Sequence, residues 1–67
     1  MRKQYVFKTI QKNGNIRYLV KVDSGYPFKS ENIEDAMIFT TKANAWNEYR
    51  KISKSNIGYE TWELIIK

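Results

Sequence analysis

Residues 33–52 read IEDAMIFTTKANAWNEYRKI. A short apolar run over residues 36–39 leads directly into two threonines, and apolar residues at helical spacing begin immediately after them. A threonine hydroxyl can accept a hydrogen bond from the free backbone N–H groups of a helix start, so Thr40 or Thr41 is expected to be the N-cap. The stretch predicts a buried strand followed by a capped amphipathic helix.

The predicted helix has one apolar face that can pack on a sheet. Its members recur at helical spacing and are Ala43, Ala45, Trp46, Tyr49 and Ile52. Trp46 is expected to fill the space between the helix and the sheet. Lys51 and Lys54 are placed in the last turn, where cations interact favourably with the helix dipole. Asn56 or Gly58 is expected to close the helix in a left-handed cap.

The residues before this stretch predict a β-hairpin. Residues 3–12 and 15–22 are rich in aromatic and β-branched types, and Asn13-Gly14 stands between them. Both residues of that pair accept the positive φ of a type I′ turn, so a two-residue loop is predicted. Such a loop pairs Lys12 with Asn15.

That register assigns side chains to the two faces of the hairpin. The predicted core face carries Tyr5, Phe7, Thr9 and Gln11 opposite Val22, Val20, Tyr18 and Ile16. The predicted outer face pairs Val6 with Lys21, Lys8 with Leu19, and Ile10 with Arg17. A three-residue loop would shift the pairing by one residue, bring Lys8 and Ile10 to the core, and turn Tyr5 and Phe7 outward. The first register is favoured because it buries the aromatic rings.

The remaining segments complete the predicted order. Residues 23–32 are expected to form a loop, because Asp-Ser-Gly interrupts strand 2 and Pro27 cannot donate to a ladder. Tyr26 and Phe28 in that loop either plug the end of the core, which is the favoured interpretation, or present an exposed aromatic site. Strand 3 is predicted over residues 33–39 and a last strand over 59–66.

These elements predict an α+β fold of order β-β-β-α-β, in which one helix packs on one face of a small, mainly antiparallel sheet. The 67 residues are expected to form a single domain, 1–67, with a thin core.

The composition argues against an enzyme. The chain has no Cys and no His, so thiol chemistry, catalytic triads and the commonest metal ligands are missing. Its carboxylate pairs, Glu34/Asp35 and Glu60/Glu63, have opposite strand parity and would not converge. No cofactor, metal or small-molecule substrate is expected. No secretory signal and no apolar run long enough to span a membrane is visible, so a cytoplasmic protein without membrane partners is expected.

The net charge of +5 favours an anionic partner. The predicted outer face of the hairpin gathers Lys8, Lys12, Arg17 and Lys21, which are the candidate nucleic-acid-binding residues. Arg17 is the candidate for reading bases and the lysines for contacting phosphates. The alternative is a sheet face that lysine merely keeps solvated.

Residues 39–46, Phe-Thr-Thr-Lys-Ala-Asn-Ala-Trp, resemble the strand-to-helix junction of the arm-type DNA-binding domains of phage and transposon integrases. The chain also resembles small phage and prophage proteins of low-GC Gram-positive bacteria, which share a hairpin, a Phe-Thr junction, one helix and a closing strand. Asn44 stands where the integrase pattern usually has an acidic residue, and a further strand follows the helix. The resemblance implies a small, non-enzymatic binding protein of phage or mobile-element type.

A protein partner is the rival hypothesis. An edge strand or exposed apolar side chains could dock another protein or a second copy of the chain. The candidate protein-interaction residues are Val6, Ile10, Leu19, Tyr26 and Phe28.

Overall fold

The computed structural model describes residues 3–57 and 60–67, which form a four-stranded antiparallel sheet with a helix on one face. The strand order is β3-β2-β1-β4, so β3 and β4 form the edges. The elements are β1 (Tyr5–Ile10), β2 (Ile16–Asp23), β3 (Tyr26–Ser30), α1 (Lys42–Tyr49), α2 (Lys54–Ile57) and β4 (Thr61–Ile66). The predicted α+β class and β-β-β-α-β order are confirmed, and the short α2 is an addition to them.

The third strand lies earlier in the chain than predicted. Residues 23–32 contain β3, whereas the predicted strand over 33–39 begins with the 3₁₀ helix Ile33–Asp35. The reason lies at Ser24 and Gly25, whose φ values are both positive, at 52° and 79°. Two successive positive φ values are typical of a type I′ turn, which reverses the chain within two residues. The chain therefore pairs directly back onto β2 and forms a second hairpin.

The apolar run over residues 36–39 still contributes to the sheet. Met37 donates its backbone N–H to the Leu19 carbonyl over 2.9 Å, and Phe39 exchanges two backbone hydrogen bonds of 2.8 and 2.9 Å with Tyr5. The segment therefore bonds to β2 near one end and to β1 at the other. These contacts satisfy backbone groups that would otherwise be left without partners where β1 and β2 no longer pair with each other.

The first hairpin has a three-residue loop. Gln11 accepts from the backbone N–H of Gly14 and donates to the carbonyl of Asn15, both over 2.8 Å. Gly14 has a φ of 89°, while Asn13 is not among the residues with positive φ. This is the pattern of a type I turn followed by one left-handed residue. The Asn13 side chain supports it by accepting from the Asn15 backbone N–H. The predicted two-residue loop is wrong.

The longer loop shifts the register by one residue. Thr9 lies opposite Arg17, Lys8 opposite Tyr18, and Ile10 opposite Ile16. The predicted pairing is therefore wrong along the whole hairpin, because a one-residue slip moves every side chain of one strand to the other face.

The slip changes the orientation of the β2 side chains, whereas the β1 side chains point to the faces that were predicted for them. Phe7 and Thr9 are fully buried on the helix side, as predicted, and Leu19 joins them in place of its neighbours. The further expectation that a three-residue loop would turn Phe7 outward is also wrong. A register irregularity between Leu19 and Lys21 then reverses the parity, so that Val22 packs against the core.

Phe7 lies at the centre of the core. Its ring packs against the rings of Phe39, Trp46, Tyr49 and Trp62, with centroid separations from 5.3 to 6.4 Å. Three of these pairs are edge-to-face, a geometry worth about 0.5–1.5 kcal/mol per pair beyond the area buried. Five of the ten aromatic residues of the sequence thus meet between the sheet and the helix.

The α1 helix begins as predicted but ends early. The Thr41 hydroxyl accepts from the Asn44 backbone N–H over 3.1 Å, which identifies Thr41 as the N-cap. Of the predicted apolar face, Ala45 is fully buried, Ala43 is exposed, and Ile52 is buried beyond the helix end. Since α1 ends at Tyr49, the prediction of Lys51 and Lys54 in its last turn is wrong.

The chain after α1 contains the second short helix. Asn56 lies inside α2, where the predicted left-handed cap does not occur, and Gly58 and Tyr59 lie outside the described residues. β4 then pairs with β1 along all of its six residues, and Trp62 and Leu64 pack against the core.

Candidate interaction surfaces

The sheet has a helix face, on which α1 lies, and an outer face on the opposite side. Phe7, Leu64 and Trp62 belong to the helix face, because all three are part of the core or pack against it. Side chains alternate along a strand, so the residues between them point to the outer face. Outer-face residues established by the pairing are Val6, Lys8, Ile10, Ile16, Tyr18, Lys21, Asp23, Tyr26, Phe28, Ser30, Thr61, Glu63 and Ile65.

Two of the four candidate nucleic-acid-binding residues lie on this outer face. Lys8 is placed there beside Glu63, with 4.0 Å between the ammonium and the carboxylate. The Lys21 ammonium lies 4.8 Å from the centroid of the Phe28 ring, in cation–π geometry. Both side chains are thus already engaged by neighbours in the sheet.

The other two candidates lie elsewhere. Arg17 is opposite the buried Thr9 on the helix side, and its guanidinium bonds to Glu31 over 3.1 Å. Lys12 is exposed in the three-residue loop. The four cations therefore do not share one sheet face, and the predicted arrangement is wrong. The physical cause is the register, since a one-residue slip exchanges Arg17 and Tyr18 between the faces.

The charge of the outer face is balanced. Its strand residues include two cations, Lys8 and Lys21, and two carboxylates, Asp23 and Glu63. A face without excess positive charge has little electrostatic attraction for a polyanion.

The candidate protein-interaction residues also divide. Val6 and Leu19 are fully buried and offer no contact area to a partner, whereas Ile10 is half-buried on the outer face. Tyr26 and Phe28 are exposed at 51% and 41% of their areas. Their rings pack edge-to-face on each other at 5.1 Å. The favoured interpretation that they plug the core is therefore wrong.

Pro27 explains this exposure of the two rings. It lies between Tyr26 and Phe28 in β3 and is among the fully buried side chains. Because alternate residues of a strand point to opposite faces, a buried Pro27 turns both aromatic neighbours outward. A proline is tolerated here because β3 is an edge strand.

The sequence also contains a group of basic residues in and just after α1 that was not among the predicted sites. Residues 42–54 contain Lys42, Arg50, Lys51 and Lys54 but only one acidic residue, Glu48, which pairs with Lys51 over 2.6 Å. We call Lys42, Trp46 and Arg50 the α1 row. Lys42 and Trp46 lie in α1, and Arg50 is its C-cap with helical φ and ψ. The three are spaced by four residues, so they are neighbours along one side of the helix. All three are exposed, Trp46 at 41% of its area.

The two cations of the α1 row make no ion pair with any described residue. The Trp46 ring between them packs on Phe7 and Tyr49 on its inner side, which fixes its position. The row thus combines a packed but accessible aromatic ring with two flanking positive charges. The spacing of four between a Lys, a Trp and an Arg was visible in the sequence and would have identified it.

A partly buried polar network joins β1, β3 and the start of β4. The Glu60 carboxylate accepts from Lys29 over 2.6 Å and from the hydroxyl of the fully buried Thr9 over 3.2 Å. Lys29 and Glu60 expose only 17% and 19% of their side chains. Because each charge is hydrogen-bonded and paired, the network is explained by structure alone.

Searches for related proteins found no matching family model, curated protein or solved structure. The resemblance to integrase domains and phage proteins therefore stays a prediction. Among residues 3–57 and 60–67, no cluster of three or more metal-ligating side chains occurs, and neither helix is long and apolar enough to cross a membrane.

Proposed function

We propose that this chain is a non-enzymatic binding protein whose partner is nucleic acid, and that the α1 row is its contact surface. The observation that carries the proposal is the pair of exposed cations, Lys42 and Arg50, on either side of the half-exposed Trp46 ring. The proposed contact surface is therefore the α1 row and not the outer face of the hairpin, which the sequence predicted.

The distribution of charge along the sequence supports the α1 row as the contact surface. Residues 42–54 carry a net charge of +3, from four cations and one carboxylate, out of +5 for the whole chain. Cations that contact phosphates release condensed counterions, and this release supplies most of the sequence-independent affinity for nucleic acid. Lys42 and Arg50 can make such contacts without first breaking an ion pair with any residue that the structure describes.

The Trp46 indole adds a second mode of contact. A base that is not held in a duplex can stack on an exposed aromatic ring, a contact worth about 1–3 kcal/mol per base. The ring is held in place by Phe7 and Tyr49, so little side-chain freedom is lost on stacking. Single-stranded nucleic acid is therefore expected to bind more tightly than duplex.

Fluorescence anisotropy with short labelled single-stranded and duplex DNA tests the proposal. The variant Lys42→Gln/Arg50→Gln should weaken binding about tenfold or more at low salt. It should also lower the slope of log K against log salt by about 1.4 to 1.8, since each lost phosphate contact removes about 0.7 to 0.9. The charge-matched variant Lys8→Gln/Lys21→Gln, on the outer face, should retain most of the affinity.

Three outcomes would count against the proposal. Absence of binding at low salt removes nucleic acid as the partner. Binding that is insensitive to salt removes the electrostatic mechanism. A larger loss in Lys8→Gln/Lys21→Gln than in Lys42→Gln/Arg50→Gln moves the site back to the outer face.

A further inference from the structure

We propose that the outer face of the sheet is a dimer interface whose occupant is a second copy of this chain. The inference is independent of the proposed nucleic-acid binding, because it concerns the opposite side of the sheet. It begins from the distribution of exposed apolar side chains. Among the described residues, the exposed large hydrophobic residues are Ile16, Tyr26, Phe28, Ile38, Trp46 and Ile66.

Four of these six lie on the outer face. The strand pairing places Ile16, Tyr26 and Phe28 there. Ile38 lies between Met37 and Phe39, which both pack with the core and bond to the β2 and β1 backbones. In extended chain the intervening side chain points away from its neighbours, so Ile38 points to the outer face.

A sheet face that meets water is normally polar. Antiparallel sheets with one covered face show apolar residues on that face and polar residues on the other. Here the strand positions of the outer face also carry Ile10, Tyr18 and Ile65, all half-buried, in addition to the exposed side chains. Apolar residues on both faces predict a third layer, and α1 supplies only one covering.

The charges of this face select the occupant. Lys8 and Lys21 are balanced by Glu63 and Asp23, so the face attracts neither a polyanion nor a strongly basic partner. A balanced set of both signs can be matched by its own copy across a two-fold axis, where each cation meets a carboxylate of the other chain. A second copy fits these charges better than nucleic acid does.

The dimensions of the molecule allow an interface of standard size. The two longer dimensions of the molecule are 35 and 23 Å, against a thickness of 16 Å. Their product of about 800 Å² is an upper bound on the flat area of one face, and it matches the area that each partner buries in a standard-sized interface. Two sheets packed on their outer faces would form a sandwich with α1 on each outside surface, and the additional burial would supplement the small core of each chain.

The experiment is sedimentation equilibrium of the whole chain over a wide concentration range. The native chain should be dimeric at high concentration. Phe28→Asp and Ile38→Asp, examined separately, should each raise the dimer dissociation constant by at least about 30-fold, because each places a charge within an apolar interface. Ile66→Asp is the matched control, since Ile66 is 59% exposed but pairs with Tyr5 on the helix side of the sheet. It should leave the dissociation constant unchanged, and circular dichroism confirms that each variant is folded.

A native chain that is monomeric at the highest attainable concentration overturns the proposal, whatever the variants do. Equal weakening by Ile66→Asp and Phe28→Asp overturns the assignment of the face. A third outcome would also contradict the proposal and assign the face to nucleic acid. In it, Tyr26→Ala and Phe28→Ala weaken DNA binding, while each variant sediments with the same mass as the native chain. Failure of the Lys42→Gln/Arg50→Gln test concerns the other surface and does not affect this one.

Discussion

Ser53 donates its backbone N–H to the Gly25 carbonyl oxygen over 2.9 Å. The Asn56 side-chain amide donates to the same oxygen over 2.8 Å. The turn between β2 and β3 is thereby bonded to the segment that joins α1 to α2. Gly25 has a φ of 79°, and a Cβ placed there would lie 3.2 Å from the Ser53 Cβ. Two independent constraints, backbone conformation and close approach, thus require glycine at this position.

Gly25→Ala is therefore expected to lower the free energy of unfolding by about 2 kcal/mol or more. A left-handed alanine costs about 1–2 kcal/mol, and displacement of the Ser53 segment adds to this cost. Urea denaturation followed by tryptophan fluorescence measures the change.

Gly14→Ala is the matched control for that experiment. Gly14 has a similar φ of 89°, but nothing lies within 4 Å of a Cβ at this position. Only the backbone term remains, so a loss of about 1–2 kcal/mol is expected. Equal losses in the two variants would show that the contact with Ser53 relaxes without cost.

The N-cap of α1 is the subject of a second prediction. Thr41→Ala removes the hydroxyl that accepts from the Asn44 N–H, so stability should fall by about 1 kcal/mol. Thr40→Ala, at the neighbouring exposed threonine, should change stability by less than about 0.5 kcal/mol. Thermal unfolding of the two variants separates them, and a larger loss at Thr40 would contradict the cap assignment.

The cap and the central ring were predictable because their signals are local or redundant. A threonine before an apolar helical pattern satisfies free N–H groups wherever the helix packs. Phe7 is a large ring among apolar neighbours, and the structure buries it fully in a register other than the predicted one. The α+β order follows from such local signals without any knowledge of the pairing.

The register was not predictable because Asn13-Gly14 is compatible with both loop lengths. The three-residue loop needs only one positive φ, which glycine supplies, while the two-residue loop needs two. The apolar pattern could not decide between the two registers either, since Leu19 is as suitable for a core position as Tyr18. The third strand was misplaced for a related reason, because the two successive positive φ values of a type I′ turn occur at Ser24-Gly25 and not at Asn13-Gly14.

The error in the candidate nucleic-acid surface follows from that register. Arg17 lies on the helix side and not on the predicted outer face, so the outer face is apolar with balanced charge. The predicted face of every residue in a strand depends on the length of the loop before it. One error in loop length therefore places all of these residues on the wrong face. The α1 row needs only helical spacing, and it was therefore within reach of the sequence.

The Lys29–Glu60 pair gives a third prediction. Glu60→Gln should lower the free energy of unfolding by about 1–3 kcal/mol, because it leaves the Lys29 ammonium, on a side chain that is only 17% exposed, without its counter-charge. The pair Lys51–Glu48 has the same 2.6 Å separation, but its lysine is 63% exposed. Glu48→Gln should therefore cost less than about 0.5 kcal/mol, since solvent already screens the exposed charge. Urea denaturation at low and high salt compares the two variants. Equal losses, or losses in Glu60→Gln that disappear in high salt, would show that burial of the Lys29–Glu60 pair does not strengthen it.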